Sequence, residues 1–207
     1  MESKIPKKIH YVWVGGKHKP PEVLRCIASW QKYCPDYEIK EWNEYNFDIY
    51  HYKYVKQAYE QGKWAFVSDV IRLYALYTEG GVYLDTDVEV FKSLDEFLNN
   101  KAFTGFENIG YPVTAVMGAE KGNPIIKQML DYYNDKDFEW KGFGYTETNT
   151  MIMSDILGDN GVDRYNNALQ KVENFTVYPK NTFCPNWWQE GIPKESYARH
   201  LMLGSWG

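Results

Sequence analysis

At 207 residues the chain is long enough for one domain that buries most of the surface its unfolded form exposes. Its net charge of −5, with no basic stripe, excludes a general nucleic-acid binder, and no apolar run approaches the ~20 residues that span a membrane. An aromatic share of 17% suits a large core and equally the apolar faces of sugars and nucleobases, so composition alone does not choose between them.

Lys8 to Val14, KIHYVWV, is rich in β-branched and aromatic residues and stops at Gly15-Gly16, which predicts a buried first strand. In open α/β sheets ligands bind at the carboxyl ends of the strands, so Trp13 and Val14 stand at a ligand edge. Trp13 is either core packing or a flat platform on which a base stacks, worth roughly 1–3 kcal/mol. Pro21 to Tyr33 predicts a helix, with Val23, Leu24, Ile27 and Trp30 near one stripe and Pro21 tolerated in the first turn. Tyr37 to Trp42 alternates as a half-buried second strand. Glu44 to Gly62 is polar and tyrosine-rich, with a short helix over Tyr52 to Glu60 and no legible chemistry.

The stretch Trp64 to Val90 organises the rest. Val67, Val70, Ile71, Tyr74, Ala75 and Tyr77 recur near helical spacing, and no Gly or Pro interrupts them before Glu79. Gly80 and Gly81 then turn the chain into the strand Val82, Tyr83, Leu84. Asp85 and Asp87 follow at its exit. In extended backbone residues i and i+2 point to one side, so the two carboxylates converge there while Thr86 faces away. Close carboxylates repel unless one takes a proton or a hard divalent cation sits between them; a solvated turn is the plain alternative. Asp69 and Arg72, three apart on one helix face, either pair with each other or turn together toward a polar ligand.

Beyond the carboxylates, Leu94 to Leu98 predicts a short helix, Ala102 to Phe106 and Val113 to Ala119 two strands, and Asn123-Pro124 the start of a helix through Tyr133. Lys136 to Glu147 is Gly- and aromatic-rich, the composition of a lid or of a plain loop. Glu147 to Leu157 reads as helix, Phe175 to Tyr178 as strand, Asn181 to Gly191 as irregular, and Tyr197 to Leu203 as the last strand. His200 there is either a structural histidine or a metal ligand; His10, His18 and His51 lack metal-like spacing. Cys26, Cys34 and Cys184, an odd number without zinc-like spacing, fit a reducing compartment, and the N-terminus lacks the apolar core of a signal peptide. The expected location is cytoplasmic, with at most peripheral contact at the inner face of a membrane.

Three blocks carry a family resemblance: IHYVWVGG at 9–16, SDVIR at 68–72 and GGVYLDTDVEV at 80–90. They resemble the shared core of glycosyltransferase family 32, which also occurs in the large clostridial glucosylating toxins, and the closing His-x4-Ser-Trp resembles that family's C-terminal signature. The similarity covers residues 5 to 95. It implies an α/β GT-A fold, a mixed, mostly parallel sheet flanked by helices, in one domain. Residues 1–100 would form the nucleotide-sugar and metal half and 101–207 the acceptor side.

The resemblance further implies a nucleotide-sugar donor, with UDP expected, Mn²⁺ or Mg²⁺, and retention at the anomeric carbon. Position by position it implies Trp13 stacked on uracil and Asp69 and Arg72 on the donor sugar's hydroxyls. Tyr83 would line the nucleotide pocket. Asp85 would meet ribose, sugar or a metal-bound water, and Asp87 the metal. His200 or Ser205 would complete the metal shell, and Trp206 would lie on the diphosphate. The expected acceptor is a saccharide or lipid-linked oligosaccharide in bacterial surface-polysaccharide synthesis. A toxin-like transferase acting on protein and a binding module without turnover are the alternatives. A nucleotidyltransferase needs a richer phosphate loop than Gly15-Gly16-Lys17.

Overall fold

The computed structural model describes residues 4–142 and 145–204. Strand β1 (Lys8–Val12) pairs in parallel with β2 (Glu38–Trp42) on one side and β3 (Gly81–Leu84) on the other. Helix α1 (Pro21–Tyr33) connects the first pair; α2 (Lys53–Glu60) and α3 (Trp64–Glu79) lead to β3. Beyond β3 lie β7 (Val116–Ala119) and β5 (Ala102–Asn108), each antiparallel to the strand before it; then β9 (Phe175–Tyr178), parallel to β5, and β8 (Gln170–Val172), antiparallel to β9. The two-residue β6 (Tyr111–Pro112) folds back on β5. Strands β1, β2, β3, β5 and β9 therefore share one direction: the sheet is mixed and mostly parallel.

Period-two alternation divides the core. Ile9, Tyr11, Val82, Leu84 and Phe103 pack with Val23, Cys26 and Trp30 of α1, whereas Val12, Tyr83 and Met117 pack with Val67, Val70 and Ile71 of α3. The crossovers β1–α1–β2 and β2–α2–α3–β3 thus lie on opposite faces. That makes a topological switch point, and the crevice beyond the carboxyl ends of β1 and β3 is where such a sheet takes a ligand. Gly81 permits this pairing: at φ 119°, a Cβ there would sit 2.7 Å from the Lys8 carbonyl. A separate two-stranded antiparallel sheet joins β4 (Val88–Val90) to β10 (Ala198–His200). Helix α1 anchors β4, since Trp30 Nε1 donates to Val88 O at 2.8 Å and Val90 N donates to Ser29 Oγ at 3.0 Å.

Several expected boundaries shift. The first strand ends at Val12, before Trp13, and the strand expected over Val113 to Ala119 begins only at Val116, a turn separating it from β6. Helix α4 (Pro124–Asp131) is capped by Asn123, whose Oδ1 accepts from Ile125 N and Ile126 N, and α5 (Asn149–Asp159) by Thr148. Leu94 to Leu98 contracts to a single 3₁₀ turn, Asp95–Phe97. The segment read as irregular contains the short helices α6 (Lys180–Phe183) and α7 (Trp187–Glu190). Strand β10 stops at His200 and not at Leu203, because Met202 turns into the left-handed region with φ 53°. Cys26, Cys34 and Cys184 are free and buried. No described helix is long and apolar enough to cross a membrane.

His10 is a core residue with both ring nitrogens engaged: Nδ1 accepts from Trp42 Nε1 at 3.0 Å and Nε2 lies 2.7 Å from Gly80 O. Burial pushes its pKa down to about 4 from 6.5. Because the folded value is the lower, the unfolded chain takes the proton first. Stability is whole above the unfolded pKa and falls as pH drops toward the folded one. Between pH 7 and pH 5 this costs about 2 kcal/mol. Urea midpoints of wild type and His10→Gln at the two pH values will show the larger acid loss in wild type; equal losses would remove His10 as the source.

Candidate functional site

The helix α3 and the turn after β3 bring four predicted residues together. Arg72 lies between two carboxylates, with Nη2 3.1 Å from Asp69 Oδ1 and 3.3 Å from Asp85 Oδ1. Its remaining contacts are to the protein: Nε donates to Ser68 O at 3.4 Å, Nη1 to Thr114 O at 2.8 Å, and Nη2 also to Ser68 Oγ at 3.2 Å. The guanidinium stands over the Tyr83 ring, 4.7 Å from its centroid. Arg72 is only 4% exposed, so this is a buried charge network and not a surface ion pair. Among the described residues its hydrogen bonds and ion pairs go to Ser68, Asp69, Asp85 and Thr114, whereas the expectation was that Arg72 would hold sugar hydroxyls.

Tyr83 is buried as well, and its hydroxyl donates to Asp85 Oδ1 at 2.7 Å. It orients Asp85 from beneath and has no open face with which to line a pocket. Burial drives its pKa far above the ordinary phenol value, so it stays a donor. Burial likewise raises the Asp69 carboxyl to about 6, against the pull of Arg72.

The Asp85–Thr86–Asp87 segment is a turn and not extended strand. Val88 N donates to Asp85 O at 3.0 Å, and Asp85 N to Ala115 O at 2.9 Å. Convergence of the carboxylates comes from this turn together with β10, where the β4 pairing brings His200 alongside Val88. Ligand atoms of Asp85, Asp87 and His200 lie within 4.8 Å of one another. Asp87 is enclosed: Oδ1 is 3.2 Å from His200 Nε2, Oδ2 accepts from Leu203 N at 2.9 Å, and its carbonyl accepts from Leu201 N at 2.9 Å. Burial alone would raise Asp87; the His200 ring and the Leu203 amide hold it below the usual carboxylate range. His200 is pushed up to about 11 against its own burial, by Asp87, Cys184 and Asp85. In this arrangement an imidazolium supplies the positive charge the carboxylates require. Two carboxylates and one imidazole fit Mn²⁺ or Mg²⁺, with the cation taking the place of the histidine proton.

The other expectations separate from this centre. Trp13 packs with Tyr11 in the α1-side core, its Nε1 donating to Lys17 O at 2.7 Å and the Lys19 ammonium 5.6 Å from its ring centroid. Val14 belongs to the opposite, α3-side core. Ser205 and Trp206 lie outside the described residues. The sequence reading missed Asn149, at the start of α5. Its backbone N–H donates to Asp69 Oδ2 at 3.3 Å and its side-chain amide to Asp69 O at 3.4 Å and Tyr133 Oη at 3.2 Å. Asn149 Oδ1 is buried without a hydrogen-bond partner among the described residues, an acceptor held ready beside Asp69. The only hint in the sequence was the Thr148-Asn149 helix start.

Residues 20–104 match the family described as a glycosyltransferase sugar-binding region containing DXD motif. The chain is 31% identical over 136 residues to inositol phosphoceramide mannosyltransferase 3 of Schizosaccharomyces pombe, a match covering 62% of this chain and 37% of that one. It is 27% identical over 180 residues to subversion of eukaryotic traffic protein A of Legionella pneumophila, covering 70% and 27%. The chain thus spans well under half the length of these two relatives. In architecture it is similar to a glycosyltransferase involved in the glycosylation of the major capsid of PBCV-1, with a TM-score of 0.57 at 17% identity over 97% of this chain and 95% of that one. The GT-A architecture expected from the sequence is the one observed.

Proposed function

We propose that this chain, with the DXD-containing glycosyltransferase region at residues 20–104, is a metal-dependent retaining glycosyltransferase that moves a sugar from a nucleotide-sugar, UDP-linked, to a saccharide or lipid-linked acceptor. The observation that carries the reading is the double engagement of Asp85. It belongs at once to the Arg72 network and to the Asp87–His200 group, so one carboxylate links a candidate sugar site to a candidate diphosphate site.

Asp85, Asp87 and His200 would hold a divalent ion, which when bound would supply Lewis-acid stabilisation of the departing diphosphate worth several kcal/mol. Arg72 fixes Asp69 and Asp85 in one geometry without donating to the substrate. Asp69 and the unpaired Asn149 Oδ1 present acceptors to the donor sugar's hydroxyls. The bond from anomeric carbon to phosphate oxygen breaks as the acceptor hydroxyl bonds to the same face, and its proton passes to the leaving phosphate oxygen. Carboxylate charge nearby favours the oxocarbenium-like transition state. The acceptor side falls mainly to residues 101–207, whose Tyr132, Tyr145, Glu147 and Ile152 line a cleft of about 480 Å³ together with Tyr54 of α2. Aromatic faces beside carboxylates suit saccharides.

The test is UDP release from a panel of UDP-sugars with Mn²⁺, with and without EDTA. Release from one donor that EDTA abolishes supports transfer and names the sugar; no release, with UDP bound, points to a binding module. Asp69→Ala will lower donor hydrolysis at least ~100-fold while leaving UDP affinity within about threefold, since Asp69 lies on the sugar side. Parallel loss of affinity, measured by calorimetry, would remove Asp69 from that role. A structural neighbour that is a toxin glycosyltransferase keeps the toxin-like reading, with a protein acceptor, as the second one; labelled-sugar transfer into cell-lysate protein against lipid extract separates the two.

A further inference from the structure

Strand β5 alternates so that Phe103, Gly105 and Glu107 share the face toward α6. A Cβ on Gly105 would lie 3.0 Å from the Phe183 ring, so its absence lets Phe183 seat against β5, with the two phenyl centroids of Phe103 and Phe183 5.7 Å apart. Seating Phe183 delivers the next residue, Cys184, to Glu107. The Lys180 ammonium donates to the Glu107 carbonyl, tying the start of α6 to the same strand. From the third side β10 brings His200, whose carbonyl accepts from Trp187 Nε1 at 3.3 Å. Ligand atoms of Glu107, Cys184 and His200 consequently lie within 4.8 Å of one another.

We propose that Glu107, Cys184 and His200 form a second cation site, for a borderline-soft ion of the zinc class, which shares His200 with the Asp85–Asp87 pair. Two observations support it beyond proximity. His200 Nδ1 is buried without a geometrically formed hydrogen bond among the described residues, while the Cys184 thiol stands beside the ring. The donor set also differs in kind from its neighbour. A thiolate, an imidazole and a carboxylate favour Zn²⁺ with one position left open, whereas the aspartate pair favours harder ions. A tetrahedral ion with bonds of ~2.0–2.3 Å spaces its ligands about 3.5 Å apart, so the three groups need to close by little more than 1 Å. Cys184 is buried, but Glu107 and His200 are each partly exposed and give the ion its entry. A zinc ion drawing His200 toward Cys184 takes it from Asp87. The consequence is antagonism: zinc at this site weakens use of the aspartate pair. That consequence rests on the transferase reading; the binding itself does not.

The experiment titrates the full chain with Co²⁺ in excess Mg²⁺, reading the near-ultraviolet thiolate-to-cobalt absorption, and then displaces it with Zn²⁺. One equivalent should bind with that absorption. Cys184→Ser should lose the absorption and weaken Co²⁺ by at least ~10-fold, and Glu107→Gln should keep the absorption with a similar loss of affinity. Cys26→Ser should change nothing. Absence of the absorption in wild type, or its survival in Cys184→Ser, overturns the site. If Cys184→Ser does not fold, Glu107→Gln decides, because unchanged affinity there overturns it equally. In the turnover arm, one equivalent of Zn²⁺ should suppress Mn²⁺-supported UDP release in wild type and not in Cys184→Ser. Absorption without suppression overturns the sharing of His200, and absence of UDP release under every condition fails the transferase reading while the absorption still judges the site.

Discussion

Asp87→Asn will lower cation-dependent release of nucleoside diphosphate by roughly 10³-fold, which corresponds to ~4 kcal/mol of lost transition-state stabilisation. Asp87 is enclosed by polar partners: the His200 ring, the Leu203 amide and, on its carbonyl, the Leu201 amide. The substitution keeps volume and one acceptor oxygen but removes the charge that pairs with a cation. Fold should survive, because the Leu201 contact is to the main chain and the β4–β10 pairing does not use the side chain. The cost in stability should be ~1–3 kcal/mol, that of impaired buried hydrogen bonds. The decisive comparison is UDP release against Mn²⁺ concentration in wild type and variant, with urea melts alongside. A variant that keeps its Mn²⁺ response and its rate would show that the ion binds elsewhere.

Arg72→Ala should be the most destabilising single change in the site, by about 3–5 kcal/mol. Asp69 and Asp85 would then face each other in a buried setting without a counter-ion, and Ser68 and Thr114 would lose their donor. Arg72→Lys should recover little, because a single ammonium cannot reach two carboxylates and two carbonyls at once. The charge argument has its own control. Asp85→Asn combined with Arg72→Ala should cost at least ~1 kcal/mol less than the sum of the two single changes, because the double variant removes one of the uncompensated charges. Additive losses in urea denaturation would mean that Arg72 acts by packing alone.

The local parts of this site could be read from the residues themselves. An uninterrupted apolar period from Val67 to Tyr77, two glycines and a β-rich run suffice to place α3, β3 and the carboxylates, since each signal lies within a few residues of the next. What depended on distant pairing was not legible. Strands β4 and β8 are three residues each, too short for alternation to register, and of the last strand expected over Tyr197 to Leu203 only Ala198–His200 pairs. The conformation of Asp85–Asp87 depends on Ala115, and the role of Asn149 on Asp69, 80 positions away. The partners of Arg72 were hidden for a similar reason. Spacing identifies its helix face, but only the Thr114 carbonyl and the Tyr83 ring show that its hydrogen bonds are already committed.

The β4–β10 ribbon also sets an order of events in assembly. Arg199 and Glu89, which face each other across it, are 110 residues apart in sequence. Closing so long a loop carries an entropic cost that grows with the logarithm of its length, and such contacts form after local ones. On the ribosome, at ~5–20 residues per second, several seconds separate synthesis of Asp87 from that of His200. A nascent chain can therefore hold β1, α3 and β3 and still lack the β10 segment whose His200, Leu201 and Leu203 fix Asp87. Until β10 docks, the chain carries an organised β1–α3–β3 scaffold without the Asp85–Asp87–His200 group, which is completed only by a contact made across more than a hundred residues.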